Sequence, residues 1–173
     1  MTQPPSLILV EPDARWRGEL VAMAREYAVL GGSRYDAALV DFDAYVRQLA
    51  RHARGENVPA GLVPQTTYWA VVGDEIVGSI RLRHWLTPSL ELEGGHIGYD
   101  VRPSRRGHGY ATAMLALVLE RAREMGLARV LLTADADNIA SARVIEKNGG
   151  HLDGRSYVEE TGHEVLRYWI DLG

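Results

Sequence analysis

Apolar residues recur along this chain in two rhythms, every second position or every third to fourth, and the switches between them mark its elements. Residues 7–10 form a short apolar run, read as a strand that leaves through Glu11-Pro12-Asp13. Asp13 suits the N-cap of a helix reaching to about Tyr27, with Leu20, Met23, Ala24 and Tyr27 on one face before Gly31-Gly32. A second helical stretch starts at Asp41 or Asp43 and runs through Tyr45, Leu49 and His52, and residues 55–64, rich in glycine and proline, follow as a loop. Residues 66–72 and 76–85, parted by Gly73-Asp74-Glu75, read as a hairpin, and residues 87–95 as a loop.

The second half keeps the same logic. Residues 96–101 are short, β-branched and aromatic, and Pro103 ends the strand because proline cannot donate to a sheet ladder. Ala111, Leu115, Val118, Ala122 and Met125 then repeat at helical spacing, with Gly126 placed to stop the helix. A strand over residues 130–134, a short helix after Asn138 and two tail strands within residues 151–172, separated by Thr161-Gly162, complete the order β-α-α-β-β-β-α-β-α-β-β. At 173 residues this suits one mixed α/β domain over residues 1–173, with residues 1–5 expected to be flexible.

Composition narrows the function classes. No apolar run approaches the roughly 18 residues of a membrane span, and the N-terminal residues lack the order of a signal peptide, so a soluble, cytoplasmic protein is expected. Cysteine is absent, which removes thiolate metal sites and a cysteine acyl-enzyme. The six histidines are scattered without a metal-binding spacing, so no metal site is expected. A net charge of −4 argues against a general nucleic-acid binder and favours a cationic acceptor.

The chemistry concentrates in Arg105-Arg106-Gly107-His108-Gly109-Tyr110-Ala111, between a strand and a helix. Such a junction directs free backbone N–H groups and the positive end of a helix dipole at whatever lies in the loop, and glycines let the backbone come close. The Lys-Ser/Thr of an NTPase phosphate loop does not occur. A dinucleotide-binding turn is matched by Gly107 and Gly109 but has Thr112 at its third glycine; Asp135 could then serve as the ribose acid, which would make the protein a nucleotide-dependent oxidoreductase.

The stretch more closely resembles the GNAT-type N-acetyltransferases, whose pyrophosphate loop reads Arg/Gln-x-x-Gly-x-Gly/Ala and is matched by Arg106-x-x-Gly109-x-Ala111. A second block agrees: Asn138, Ser141, Val144 and Gly149 follow the next strand in the family's order, so that the likeness covers residues 95–150. Two positions depart from the pattern. Ile145 stands where many relatives carry a tyrosine general acid, and Gly150 replaces the usual aromatic.

The resemblance implies a central, mostly antiparallel sheet of about seven strands with about four helices, acetyl-CoA as co-substrate without a metal, and a small-molecule or protein amine as acceptor, with a homodimer possible. It implies that Arg106, Gly107, His108, Gly109, Tyr110 and Ala111 hold the pyrophosphate. Asp100 and Val101, at the end of their strand, would pair with pantetheine and polarise the thioester carbonyl, and Asn138, with Ser141, would hold the pantetheine amide or thiol end. For the base, His96 stands at the start of the strand with Glu93 close by. Tyr99, Tyr157, Tyr168 or water are the candidates for the acid that Ile145 cannot be. Acetyl transfer to a primary amine is the leading expectation, and a catalytically silent acyl-CoA sensor is the alternative that the missing tyrosine raises.

Overall fold

The computed structural model describes residues 6–173, so the expectation for residues 1–5 lies outside it. The chain opens with β1 (Leu7–Val10), a 3-10 turn over Ala14–Trp16, α1 (Arg17–Val29), α2 (Asp36–Val40) and α3 (Phe42–Ala53). The hairpin is β2 (Gln65–Val72) and β3 (Glu75–Arg83), followed by α4 (Pro88–Leu92), β4 (Ile97–Val101) and α5 (Tyr110–Glu124). β5 (Arg129–Asp135), α6 (Ile139–Lys147), β6 (His151–Val158) and β7 (His163–Asp171) close the chain.

The expected order holds, with two additional short helices. Asp41 starts the second helical stretch, as expected: its extended backbone (φ −148°, ψ 94°) parts α3 from the additional α2, and its carboxylate caps α3 by accepting from Ala44 N–H at 2.9 Å. Asp43, the other candidate start, pairs with Arg17 instead. The expected loop over residues 87–95 contains α4. Its signal was present as Thr87-Pro88: the threonine Oγ1 accepts from Leu90 N–H at 3.3 Å, and proline takes the first helical turn, where its missing N–H costs nothing.

All seven strands form, in two sheets rather than one. β1-β2-β3-β4 and β5-β7-β6 are each antiparallel throughout. That removes the oxidoreductase alternative, since a dinucleotide-binding unit needs parallel strands joined by a crossover. Among the described residues, the hydrogen bonds between the sheets lie at the root of β4, where His96 N–H donates to Leu131 O at 2.7 Å and Gly94 N–H to Thr133 Oγ1 at 2.9 Å. Glycine is required at this junction: a Cβ on Gly95 would sit 2.3 Å from Leu131 O. Beyond it β4 and β5 separate, and the wedge between them is the site.

Two apolar clusters hold the wedge open. Met114, Leu115, Val118, Leu119 and Ala122 of α5 pack against Ile80, Leu82 and Ile97 of the first sheet and Val130 and Leu132 of the second, so one helix braces both. On the other face of the first sheet, Leu20, Met23, Ala24 and Tyr27 of α1, the residues expected from spacing, pack on Trp69, Val71 and Ile76. Burying each large side chain contributes about 1.5–3 kcal/mol, which fixes the frame on which the site depends.

Candidate active site

The loop before α5 forms a cradle. Gly107 and Gly109 both have φ +79°, the left-handed region open to glycine, and no other atom lies within 4 Å of where a Cβ would project. Gly109 is the N-cap of α5 and offers no side chain to its first amides. Those N–H groups and the helix dipole therefore face open space, the arrangement that binds an anion. The two arginines diverge. Arg105 grips Glu75 with two bonds, at 2.8 and 2.7 Å, whereas Arg106 stands over the Tyr27 ring, 5.8 Å from its centroid, with no carboxylate partner among the described residues. His108 folds back, its Nδ1 2.8 Å from Arg106 O and its ring stacked on Tyr110.

A buried ion cluster fixes this loop to α1. Arg102, only 9% exposed, reaches Glu26 at 2.6 Å and Glu19 and Glu75 at 3.1 Å. Burial alone would raise the Glu26 pKa, but the N–H of Ser104 and the Arg102 guanidinium outweigh it and hold the carboxyl below its usual range. In sequence Arg102 is only the residue before the Pro103 that ends the strand, so nothing local signals this role.

A cleft of about 980 Å³ runs from the cradle into the wedge. Of the expected cofactor residues, Asp100, Val101, Arg106, Gly107, Gly109, Tyr110, Ala111, Asn138 and Ser141 line it, and His108 does not. Register separates Asp100 from Val101. Arg83 N–H donates to His96 O and Arg102 N–H to Val77 O, so alternate residues of β4, Asp100 among them, turn their backbone toward β3. Ile97, Tyr99 and Val101 present theirs to the open edge, where Tyr27 OH already donates to Val101 O at 2.7 Å. The Asp100 carboxylate is committed to Arg81 at 2.7 Å and to the Tyr35 hydroxyl.

Across the wedge, Asn138 caps α6 by accepting from Ser141 N–H at 3.1 Å, which leaves its amide donors without a partner among the described residues. Ser141 Oγ lies 2.7 Å from the Tyr99 hydroxyl. Burial raises the Tyr99 pKa, partly offset by that bond. Ile145, one helical turn on, is fully buried in the core. Of the three tyrosines named as substitute acids, only Tyr99 lines the cleft; Tyr157 is exposed and Tyr168 is packed in the core.

The two base candidates part company. Glu93 lines the cleft. His96 does not: it is 6% exposed, its Nδ1 accepts from Leu131 N–H at 2.9 Å, and its ring meets Trp169 edge-on. Burial, with the Arg83 charge behind it, pushes its pKa down to about 4, so the imidazole is neutral near pH 7 and a poor proton acceptor there. Beside Glu93 the fold brings in two residues that spacing could not join. His163 Nε2 lies 3.2 Å from Glu93 Oε1 and 3.1 Å from Asp135 Oδ1 without a hydrogen bond to either, so the three are close neighbours rather than a hydrogen-bonded chain. Arg34, Arg81 and Arg83 line the same end. Strand parity could have found two of them, since Arg81 and Arg83 share a face with Gly98 and Asp100.

A family model described as an acetyltransferase (GNAT) domain matches residues 19–151. Among solved structures, the microcin C7 self-immunity acetyltransferase MccE, in complex with acetyl-CoA and AMP, is 15% identical over 95% of this chain and 92% of its own, with a TM-score of 0.70. RimJ of Mycobacterium smegmatis, in complex with a CoA disulfide, is 20% identical over 95% and 81%, with a TM-score of 0.72. A Salmonella typhimurium acetyltransferase that modifies the N-terminal serine of ribosomal protein L7/L12 is 18% identical over 96% and 95%, at 0.68. At these identities the likeness is one of fold. No curated protein matches the chain in sequence.

Proposed function

This chain belongs to the GNAT acetyltransferase family, and we propose that it transfers the acetyl group of acetyl-CoA directly to a primary amine. The observation that carries the reading is the continuity of one cleft from the cradle, along the open edge of β4, to the carboxylates beyond it. Coenzyme A needs a diphosphate site, an edge for two amides and room for a thioester, in that order. The glycines of the cradle leave space for the diphosphate, and the first amides of α5, with Arg106, suit its charge. The N–H groups of Ile97, Tyr99 and Val101 suit pantetheine as an added strand would, and the Asn138 amide suits its far side. Acetyl-CoA supplies an activated acyl group. Without cysteine, the chain has no thiol to carry that group in between.

The protein's own task is proton management. A free alkyl ammonium has a pKa of about 10.4, so presenting the neutral amine at pH 7 costs about 4 to 5 kcal/mol. We assign proton removal to Glu93, which lines the cleft, rather than to the buried, weakly basic His96. An N–H on the open edge of β4 polarises the thioester carbonyl. Tyr99, bonded to Ser141, protonates the departing thiolate. Ser141 precedes Ile145 by one turn on α6, and a helical side chain covers the turn N-terminal to itself, so the pair occupies the region a tyrosine at position 145 would reach.

Ile145 also favours a second reading, a silent acyl-CoA sensor. One experiment separates the two: calorimetric titration with acetyl-CoA, followed by thiol release across a panel of amines. Binding with amine-dependent release supports the enzyme, binding without release supports the sensor, and no binding ends both.

A further inference from the structure

The acceptor end of the cleft has two walls of opposite charge. On one, Glu93 and Asp135 face each other across His163. On the other, Arg34, Arg81 and Arg83 are gathered with Asp100 as the acid that pairs with Arg81 at 2.7 Å and approaches Arg34 at 3.7 Å. Arg83 has no carboxylate within salt-bridge reach among the described residues. Its Nη1 donates to the carbonyls of Gly94 and Gly95 at 3.1 and 3.0 Å, which leaves Nε and Nη2 uncommitted. Burial, then the charges of Arg81 and Arg34, push its pKa below the usual arginine value, the mark of a cation held without a counter-ion. A half-buried guanidinium costs free energy unless something neutralises it, and the fold could have satisfied this one with an acid.

We infer that the acceptor is an anionic amine, one whose primary ammonium meets Glu93 and Asp135 while a carboxylate or phosphate a few bonds away is held by Arg83 and Arg34. This rests on the acetyl-transfer reading and narrows it: a simple alkylamine would leave the arginine wall unpaired, whereas a zwitterionic acceptor satisfies both walls. Arginine is suited to the task, since its planar fork meets either oxyanion with two donors. Two chemical sources share that recognition, a carboxylate and a phosphate monoester.

The test measures kcat/KM for matched pairs with saturating acetyl-CoA: γ-aminobutyrate against butylamine, and phosphoethanolamine against ethanolamine. The anionic member of at least one pair should be preferred by about ten- to a hundredfold, the range of one charge-assisted contact, and the pair that shows it names the source. Arg83→Gln should shrink the preference at least about tenfold by slowing the anionic member. Arg34→Gln, at a half-exposed side chain that does not hold residues 94–95, gives the same answer if loss of Arg83 disturbs the fold. Equal turnover of both members in both pairs overturns the anionic acceptor and leaves acetyl transfer standing. The same four amines are titrated by calorimetry into the protein saturated with free coenzyme A. Selective binding of an anionic amine without thiol release keeps the anion site and sinks the transfer reading. Neither binding nor release sinks both.

Discussion

The two ends of the cleft are built by different means. The cradle end is one short stretch, Arg106 to Ala111, working through its backbone: two glycines at φ +79° and the unsatisfied amides of a helix start. The acceptor end is made of side chains from five separated places, Arg34, the Arg81 and Arg83 pair, Glu93, Asp135 and His163, that only the folded sheets bring together. A backbone site tolerates variation in most of its side chains yet demands glycine at fixed points. A side-chain site is free to vary member by member, which lets one cofactor serve many acceptors on one fold.

The comparison breaks most sharply at Gly109. Replacing it by valine forces a β-branched residue into positive φ, strain on the order of 1–3 kcal/mol, and projects a side chain into the open space of the cradle. The protein should still fold, and calorimetry should detect no acetyl-CoA binding. Unchanged affinity would mean that the cradle is only a turn.

At the acceptor end, Glu93→Gln should lower kcat/KM by roughly 10²- to 10⁴-fold, as loss of a general base does, while acetyl-CoA affinity stays put. The residual rate should rise with pH as free amine becomes more abundant. Should His96→Gln slow turnover instead, with Glu93→Gln normal, proton removal belongs to the histidine.

His96 stands where the two sheets meet, outside the cleft, and it sharpens the contrast through stability. Its folded pKa of about 4 lies below the unfolded value of about 6.5, so between those limits the unfolded chain binds more protons. Stability should fall as pH drops from about 6.5 toward 4, by up to about 3 kcal/mol, and be insensitive to this group above that window. Denaturant melts at pH 7 and pH 4.5 read the difference, which His96→Gln should flatten. An equal slope in the variant would place the acid sensitivity elsewhere, for instance at Glu26. The sign there is the same, because a carboxyl held below its usual range also loses its contribution as pH falls.

The same contrast explains what could be read before the fold was known. The cradle, Asn138 and the helix faces of α1 and α5 were legible because each depends on neighbours within one turn or one loop. Strand parity puts His96, Gly98 and Asp100 on one face, as the pairing with β3 has it, yet parity says nothing of depth, and depth is what removes His96. The separation of the sheets at Gly95, the Arg102 cluster and the approach of His163 to Glu93 join residues 27 to 83 positions apart. No local rule reaches that far, whereas α4 is a local element, signalled by Thr87-Pro88 and masked by the Gly94-Gly95 pair that follows it.

The finest probe is Asn138, which serves both the fold and the cleft. As a cap it uses only Oδ1, accepting from Ser141 N–H, and aspartate caps a helix equally well. Asn138→Asp should therefore leave the melting temperature within a degree or two of the parent, since an unchanged cap changes stability little. What it removes is the amide NH2, which has no partner among the described residues. Losing one neutral donor should weaken acetyl-CoA binding by about 0.5–1.5 kcal/mol, and the new negative charge, near the thioester end rather than the diphosphate, adds little more. Melting temperature and affinity measured on the same sample decide the matter. A lower affinity with an unmoved melting point makes Asn138 part of the cofactor site. Normal affinity makes it a cap alone, and the pantetheine arm would then be held from the β4 edge by backbone, as the diphosphate is in the cradle.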